Sequence, residues 1–178
     1  MNISYKFIKI PNLLFFKGFK PRVYSNTITK MIKNSTYSGN GSFGIYMRIS
    51  NSKGIKLLYY EFETMKSALD SLYFKEAIEE ARLLEEGKRR YSNIPTCYGV
   101  RIIWYERRYR IGIVMQYLEG TVVQNIPDFT IEMRNVIKEE LKNKGIFHRD
   151  LHHENIIFAD GKYWVIDFTP SNISIETH

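Results

Sequence analysis

Runs of alternating hydrophobicity flank one long stretch of helical period, and that order constrains the fold more than any other feature. Strand-like runs cover residues 28–33, 45–50 and 55–62. A helix is expected over 66–87, followed by strands at 100–106 and 110–117. Asn51-Ser52-Lys53-Gly54 is a turn signal between the second and third runs, and Arg107-Arg108 marks the turn of the later pair. Thr130 is a suitable N-cap for a second helix, with Met133, Val136, Ile137 and Leu141 on its apolar stripe and Gly145 as its stop. Two short apolar strands, 156–158 and 163–166, meet at Asp160-Gly161, a hairpin signal. Strands first and helices later imply an α+β chain in two lobes joined near residues 116–120. The segmentation expected is an extension at 1–26, a β-rich part at 27–117 with one large helix, and a reduced α-rich part at 118–178.

The first helix carries an anomaly. At 100° per residue Leu69, Leu72, Tyr73, Ala77, Leu83 and Leu84 share a face, and Glu76 and Glu80 fall within about 20° of its centre. Burying a carboxylate costs several kcal/mol unless a cation meets it, so one of the two is expected to be paired.

Composition removes several classes. A chain of 178 residues buries a sufficient core without disulfides or structural metal. Its single cysteine, Cys97, excludes a disulfide framework and any zinc site built on several thiolates. Twenty-six Lys and Arg against nineteen Asp and Glu give a net +7, which favours acidic partners such as nucleic acid, phosphate or anionic lipid without choosing among them. No nucleic-acid-reading motif accompanies that charge, so no specific nucleic acid is expected. The longest apolar run, 8–19, is interrupted by Lys9, Pro11, Asn12, Lys17 and Gly18, so neither a membrane span nor a secretory signal is expected. A cytoplasmic protein is the resulting expectation.

Two motifs carry chemistry. Gly39, Gly41 and Gly44 space a glycine-rich segment between two strands, a context suited to a hairpin whose backbone N–H groups lie over phosphates. His148-Arg149-Asp150-Leu151-His152-His153-Glu154-Asn155 is followed, one hairpin later, by Asp167-Phe168. Asp150 can orient an acceptor hydroxyl and take its proton. Asn155 and Asp167 are hard-oxygen donors of the kind Mg²⁺ requires, and the intervening hairpin returns both to one place.

On these residues the chain resembles the protein-kinase-like superfamily. Its catalytic loop matches the HRDxxxxN pattern, Asp167-Phe168 matches the first two residues of the DFG motif, and residues 39–44 match the GxGxFG loop. Residues 113–120 resemble the strand and hinge that receive adenine, with Gln116 and Leu118 as the contact positions. The resemblance covers about 28–169 and implies a two-lobed kinase-like fold using ATP and Mg²⁺. Asp150-Leu151-His152 also resembles the loop of aminoglycoside and choline kinases, which leaves small-molecule acceptors open beside a protein substrate. The resemblance further implies a lysine on the third strand paired with a glutamate of the large helix. Glu80 suits that role better than Glu76, because Leu83 and Leu84 follow it at three and four positions.

Four features depart from the pattern. Family spacing places the lysine at Tyr59, Tyr60 or Glu61, none of which is cationic; Lys56 shares a strand face with Tyr60 but lies about 13 Å short along an ideal strand, so it serves only if the hairpin is unusually short, and Arg48 on the second strand is the alternative substitute. Thr169 replaces the third residue of the DFG motif, and His152 replaces a catalytic-loop lysine that contacts phosphate. Only nine residues follow Thr169, which implies no activation segment. His148, His152 and His153 do not have zinc-protease spacing, and Cys97 is expected to be inert core. Two function classes follow: an ATP- and Mg²⁺-dependent Ser/Thr-type phosphotransferase, or a pseudokinase that engages nucleotide or a regulatory partner without catalysis. Richness in Ile, Lys, Asn and Tyr together with short length fits a virus-encoded protein.

Overall fold

A computed structural model describes residues 37–41 and 44–176. The N-terminal extension and the strand expected at 28–33 lie outside the described residues. The architecture is α+β. Strands β1 (Tyr37–Gly41), β2 (Gly44–Arg48), β3 (Lys53–Phe62), β4 (Cys97–Tyr105) and β5 (Arg108–Gln116) form an antiparallel sheet in the order β1-β2-β3-β5-β4. Gly39 and Gly41 thus lie within a strand, Gly39 opposite Tyr46 and Gly41 opposite Gly44.

The sheet has two apolar faces. Met47, Ile55, Leu57, Ile103 and Val114 cluster on one. On the other, Leu58, Val100, Ile102, Ile111, Ile113 and Met115 join a larger core built with the helices. Alternation along β3 therefore sends Ile55 and Leu57 one way and Lys56 and Leu58 the other.

The first helical segment is two helices, α1 (Met65–Asp70) and α2 (Leu72–Arg90). The continuous helix expected over 66–87 breaks at Ser71, whose extended backbone ends α1 and starts α2. Its hydroxyl donates to the Ala68 carbonyl at 2.7 Å and accepts from the Phe74 N–H at 3.1 Å. A serine satisfying both helix ends makes the break cheap. The break shifts the helical phase, so Leu72 is exposed while Phe74, Ala77, Ala81, Leu83 and Leu84 are buried.

Beyond β5 come a two-residue strand β6 (Thr121–Val122), helix α3 (Ile131–Asn143), β7 (Ile146–His148), β8 (Ile156–Ala159), β9 (Lys162–Val165) and β10 (Ile173–Ile175). Thr130 caps α3 by accepting from the Met133 N–H, as its sequence implied. Ile137 and Leu141 are buried, but Val136 is exposed, so the stripe is narrower than expected. Strands β6, β8 and β9 form one small sheet and β7 pairs with β10. The β8–β9 turn holds Asp160 at φ 51° and Gly161 at φ 71°, the left-handed pair of a tight hairpin.

Helix α2 ties the two parts together. Phe168 is fully buried, and a Cβ on Gly87 would lie 2.8 Å from its ring and 3.0 Å from Ile94, so only glycine lets α2 approach this closely. Arg90 donates to the Glu176 carbonyl at 2.6 Å. No helix of the described residues is long and apolar enough to cross a membrane.

Candidate functional site

Lys56 sits where strand parity puts it, on the helix-facing side of β3. Its ammonium donates to Glu80 Oε1 at 2.8 Å and Oε2 at 3.1 Å, and to Asp167 Oδ1 at 3.4 Å. Glu80 is 5% exposed and projects from α2 at the centre of its buried face, whereas Glu76 is exposed. Of the two carboxylates, then, the structure pairs Glu80. Burial opposes the charge on Lys56, but the Glu80 and Asp167 carboxylates outweigh it and hold the ammonium above the ordinary lysine value. Burial pushes Glu80 upward, opposed by the same ammonium. The direction on Lys56 governs the pair, because two carboxylates at hydrogen-bond distance surround one cation, and the group is charged.

The spacing argument fails here for a local reason. The β2–β3 hairpin is tight, with Arg48 opposite Gly54 and Tyr46 opposite Lys56. That shortens the interval from Gly44 and brings Lys56, rather than residues 59–61, beside α2. The register of β3 on β5 also shifts between Leu57 and Glu61, so residues beyond 57 follow a different alignment. Tyr60 instead stacks on Tyr73. Arg48 is not brought to Glu80: it pairs with Glu119 at 3.4 Å and lies 4.8 Å over the Tyr117 ring.

The second half of the site hangs on β7–β9. Asp167 adopts φ 62°, a left-handed backbone that aspartate tolerates better than most residues. That turn directs its carboxylate toward Lys56 while Phe168 enters the core. Asn155 is buried, and its carbonyl accepts from the Ile166 N–H at 3.0 Å, which fastens the residue before Asp167 to Asn155. The Asn155 amide nitrogen donates to the Asp150 carbonyl at 2.9 Å. With that nitrogen committed, the amide oxygen is the end left for a cation.

Asp150 is exposed, and its Oδ2 accepts from the Asn172 amide at 3.2 Å. His148 is buried against the Phe168 ring, with Nε2 3.2 Å from the Ile166 carbonyl. That contact requires Nε2 to carry the proton. Burial lowers its pKa, so the ring is neutral and acts as a brace. His152 Nδ1 accepts from the Glu154 N–H at 3.3 Å, and Asn155 lies 3.1 Å from Nε2. The ring thus shapes the turn that holds Asn155. Cys97 is a largely buried thiol pushed up to about 11 by desolvation.

The segment joining β5 to β6 is closed by the chain's own groups. The Gln116 N–H donates to the Thr96 carbonyl at 2.8 Å, the Tyr117 N–H to the Ser52 carbonyl at 3.0 Å, and the Gln116 carbonyl accepts from the Tyr46 hydroxyl at 3.0 Å. Leu118 is buried with Ala159 and Trp164. Tyr46 is the residue sequence reasoning missed. Its only signal was an aromatic on the Lys56 face of β2, and that face becomes informative only once the register is known.

The donor set suits a magnesium nucleotide. Asp167 and Asn155 offer hard oxygens, and Lys56 offers a fixed ammonium beside Asp167. Among the described residues no group of three or more His, Cys, Asp or Glu can hold a metal alone. A Mg²⁺ ion held here would take its remaining ligands from phosphate oxygens and water.

No protein-family model matches the chain. A probable serine/threonine-protein kinase of Dictyostelium discoideum is 40% identical over 58 residues, an alignment that takes in 27% of this chain and 9% of the relative. The likeness is therefore local and kinase-like.

Proposed function

We propose that the chain is an ATP- and Mg²⁺-dependent phosphotransferase with a two-lobed, protein-kinase-like arrangement, acting on a Ser or Thr hydroxyl of a protein. The observation that carries this is the Lys56 ammonium held between Glu80 and Asp167, with Asn155 fastened next to Asp167. The local likeness to a serine/threonine kinase supports a protein acceptor. Bound ATP would supply the transferable phosphoryl group and Mg²⁺ would neutralise its developing charge. Lys56 would orient the phosphates, and Glu80 would keep Lys56 in place. Asp167 and Asn155 would hold the metal. Asp150 would position the acceptor hydroxyl and accept its proton as the new O–P bond forms and the γ-phosphorus–oxygen bond to departing ADP breaks, while Asn172 restrains the carboxylate.

A second reading, a pseudokinase that regulates a partner, is favoured by a different observation: the Gln116 and Tyr117 backbone groups are already engaged within the chain. Magnesium-dependent ATP turnover by wild type beside Asp150→Asn decides between them. Turnover lost in the variant supports the enzyme. Nucleotide binding with equal, negligible turnover in both supports the regulator.

A further inference from the structure

Tyr46 and Lys56 face each other across the β2–β3 ladder and so project from the same side of the sheet. From that side the Tyr46 ring reaches over Gly54. A Cβ built on Gly54 would fall 2.4 Å from the phenol oxygen and 2.5 Å from the carbon bearing it. Any residue other than glycine at 54 would evict the ring. The phenol then ends on the Gln116 carbonyl at 3.0 Å, and its ring lies nearly parallel to that of Tyr117, 11° apart with centroids 6.1 Å distant. Burial, with Tyr117 beside it, raises the phenol well above its ordinary value, so it is a neutral donor.

A flat aromatic ring with one donor at its edge, resting on strand backbone and bonded to a linker carbonyl, presents the chemistry of an aminopurine edge. We infer that Tyr46 occupies the nucleobase position of this site, so that a purine nucleotide enters only by displacing the Tyr46 ring. This rests on the nucleotide-binding reading above and adds its regulation. Gln116 can accept from a ligand, but the Tyr46 ring already lies over Gly54. Rotation of Tyr46 about its Cα–Cβ bond gives up the hydroxyl bond and the ring's burial, and that loss subtracts from nucleotide affinity.

The test is calorimetric titration of the full chain with ATP and Mg²⁺ in wild type, Tyr46→Val and Tyr46→Phe. A neutral hydrogen bond is worth about tenfold at most in such a competition, and lost ring burial adds to it. Tyr46→Val is therefore expected to bind about tenfold tighter or more, and Tyr46→Phe a few-fold tighter. A second readout has the opposite sign from ordinary ligand protection. Acetylation of Tyr46 by N-acetylimidazole, followed by peptide mass spectrometry, is expected to rise when ATP and Mg²⁺ saturate wild type. Wild-type binding that neither substitution tightens, with Tyr46 labelling unchanged or reduced, overturns the inference and leaves the nucleotide reading standing. Absence of binding in wild type and both variants at millimolar ATP and Mg²⁺ overturns both. Should Tyr46→Val fail to fold, by circular dichroism, Tyr46→Phe and the wild-type labelling decide.

Discussion

Replacing Lys56 with Met tests the buried triad by thermodynamics alone. The side chains of Lys56 and Glu80 are 15% and 7% exposed, so the substitution leaves Glu80 desolvated without a cation. Breaking such a pair costs about 3–5 kcal/mol when the orphan stays ionised. Glu80 has an escape, since it can take up a proton. The cost of holding it neutral, counted from the ordinary glutamate value of 4.5, is about 1.4 kcal/mol per pH unit. That caps its share at about 3.5 kcal/mol at pH 7 and at under about 1 kcal/mol at pH 5. Asp167 also loses a contact, but its side chain is 27% exposed and water compensates most of that loss. In the variant the folded-state pKa of Glu80 lies above its unfolded value. The variant's stability therefore falls as pH rises above about 4.5, until the raised pKa is passed. Urea unfolding of wild type and Lys56→Met at pH 5 and pH 7 measures this. The expected deficit is about 2–3.5 kcal/mol at pH 7 and clearly smaller at pH 5, and Lys56→Met/Glu80→Met is expected to recover part of it. A deficit below about 0.5 kcal/mol at both pH values would refute the reasoning that the pair is buried and mutually dependent.

Asp167→Ala is expected to abolish the Mg²⁺-dependent part of the thermal shift caused by ATP, while any Mg²⁺-independent shift survives; an undiminished magnesium increment removes Asp167 as a metal ligand. His148 is held neutral with its pKa lowered by burial, so the unfolded state binds its proton first as pH drops. Stability is then expected to fall below about pH 6.5, and urea midpoints between pH 7.5 and pH 5 should fall less steeply in His148→Gln. Ser71→Ala removes both hydrogen bonds at the α1–α2 break and is expected to cost about 1 kcal/mol by urea unfolding; a variant as stable as wild type would show that the break does not depend on the cap.

Local chemistry was legible where one residue type serves one short-range demand. Thr130 before an apolar-periodic run can satisfy a free helix N–H whatever surrounds it, and Asp160-Gly161 adopts left-handed backbone cheaply in any hairpin. Glu76 and Glu80 at the centre of an apolar stripe announced one buried pair, because an unpaired carboxylate there is too costly, while the choice of Glu80 rested on the resemblance, through Leu83 and Leu84. Ser71 interrupted that phase with a signal visible only in hindsight: serine is tolerated inside helices, and tertiary packing of Phe74 and Ala77 selects the break. The partner of Glu80 was a different problem. The family's spacing from Gly44 points to 59–61 and admits Lys56 only with a short hairpin; the tight turn and the β3–β5 register shift put Lys56 beside α2. The same register laid Tyr46 over Gly54 and onto Gln116. Residue order alone specifies which residues could be strands, caps and inward carboxylates, since those depend on neighbours within a turn or two. Which cation meets which carboxylate, and which ring covers which glycine, emerges from the assembled fold. Cross-strand register and helix placement are settled by the packing of the whole core, and a shift of one residue would turn Lys56 to the opposite face.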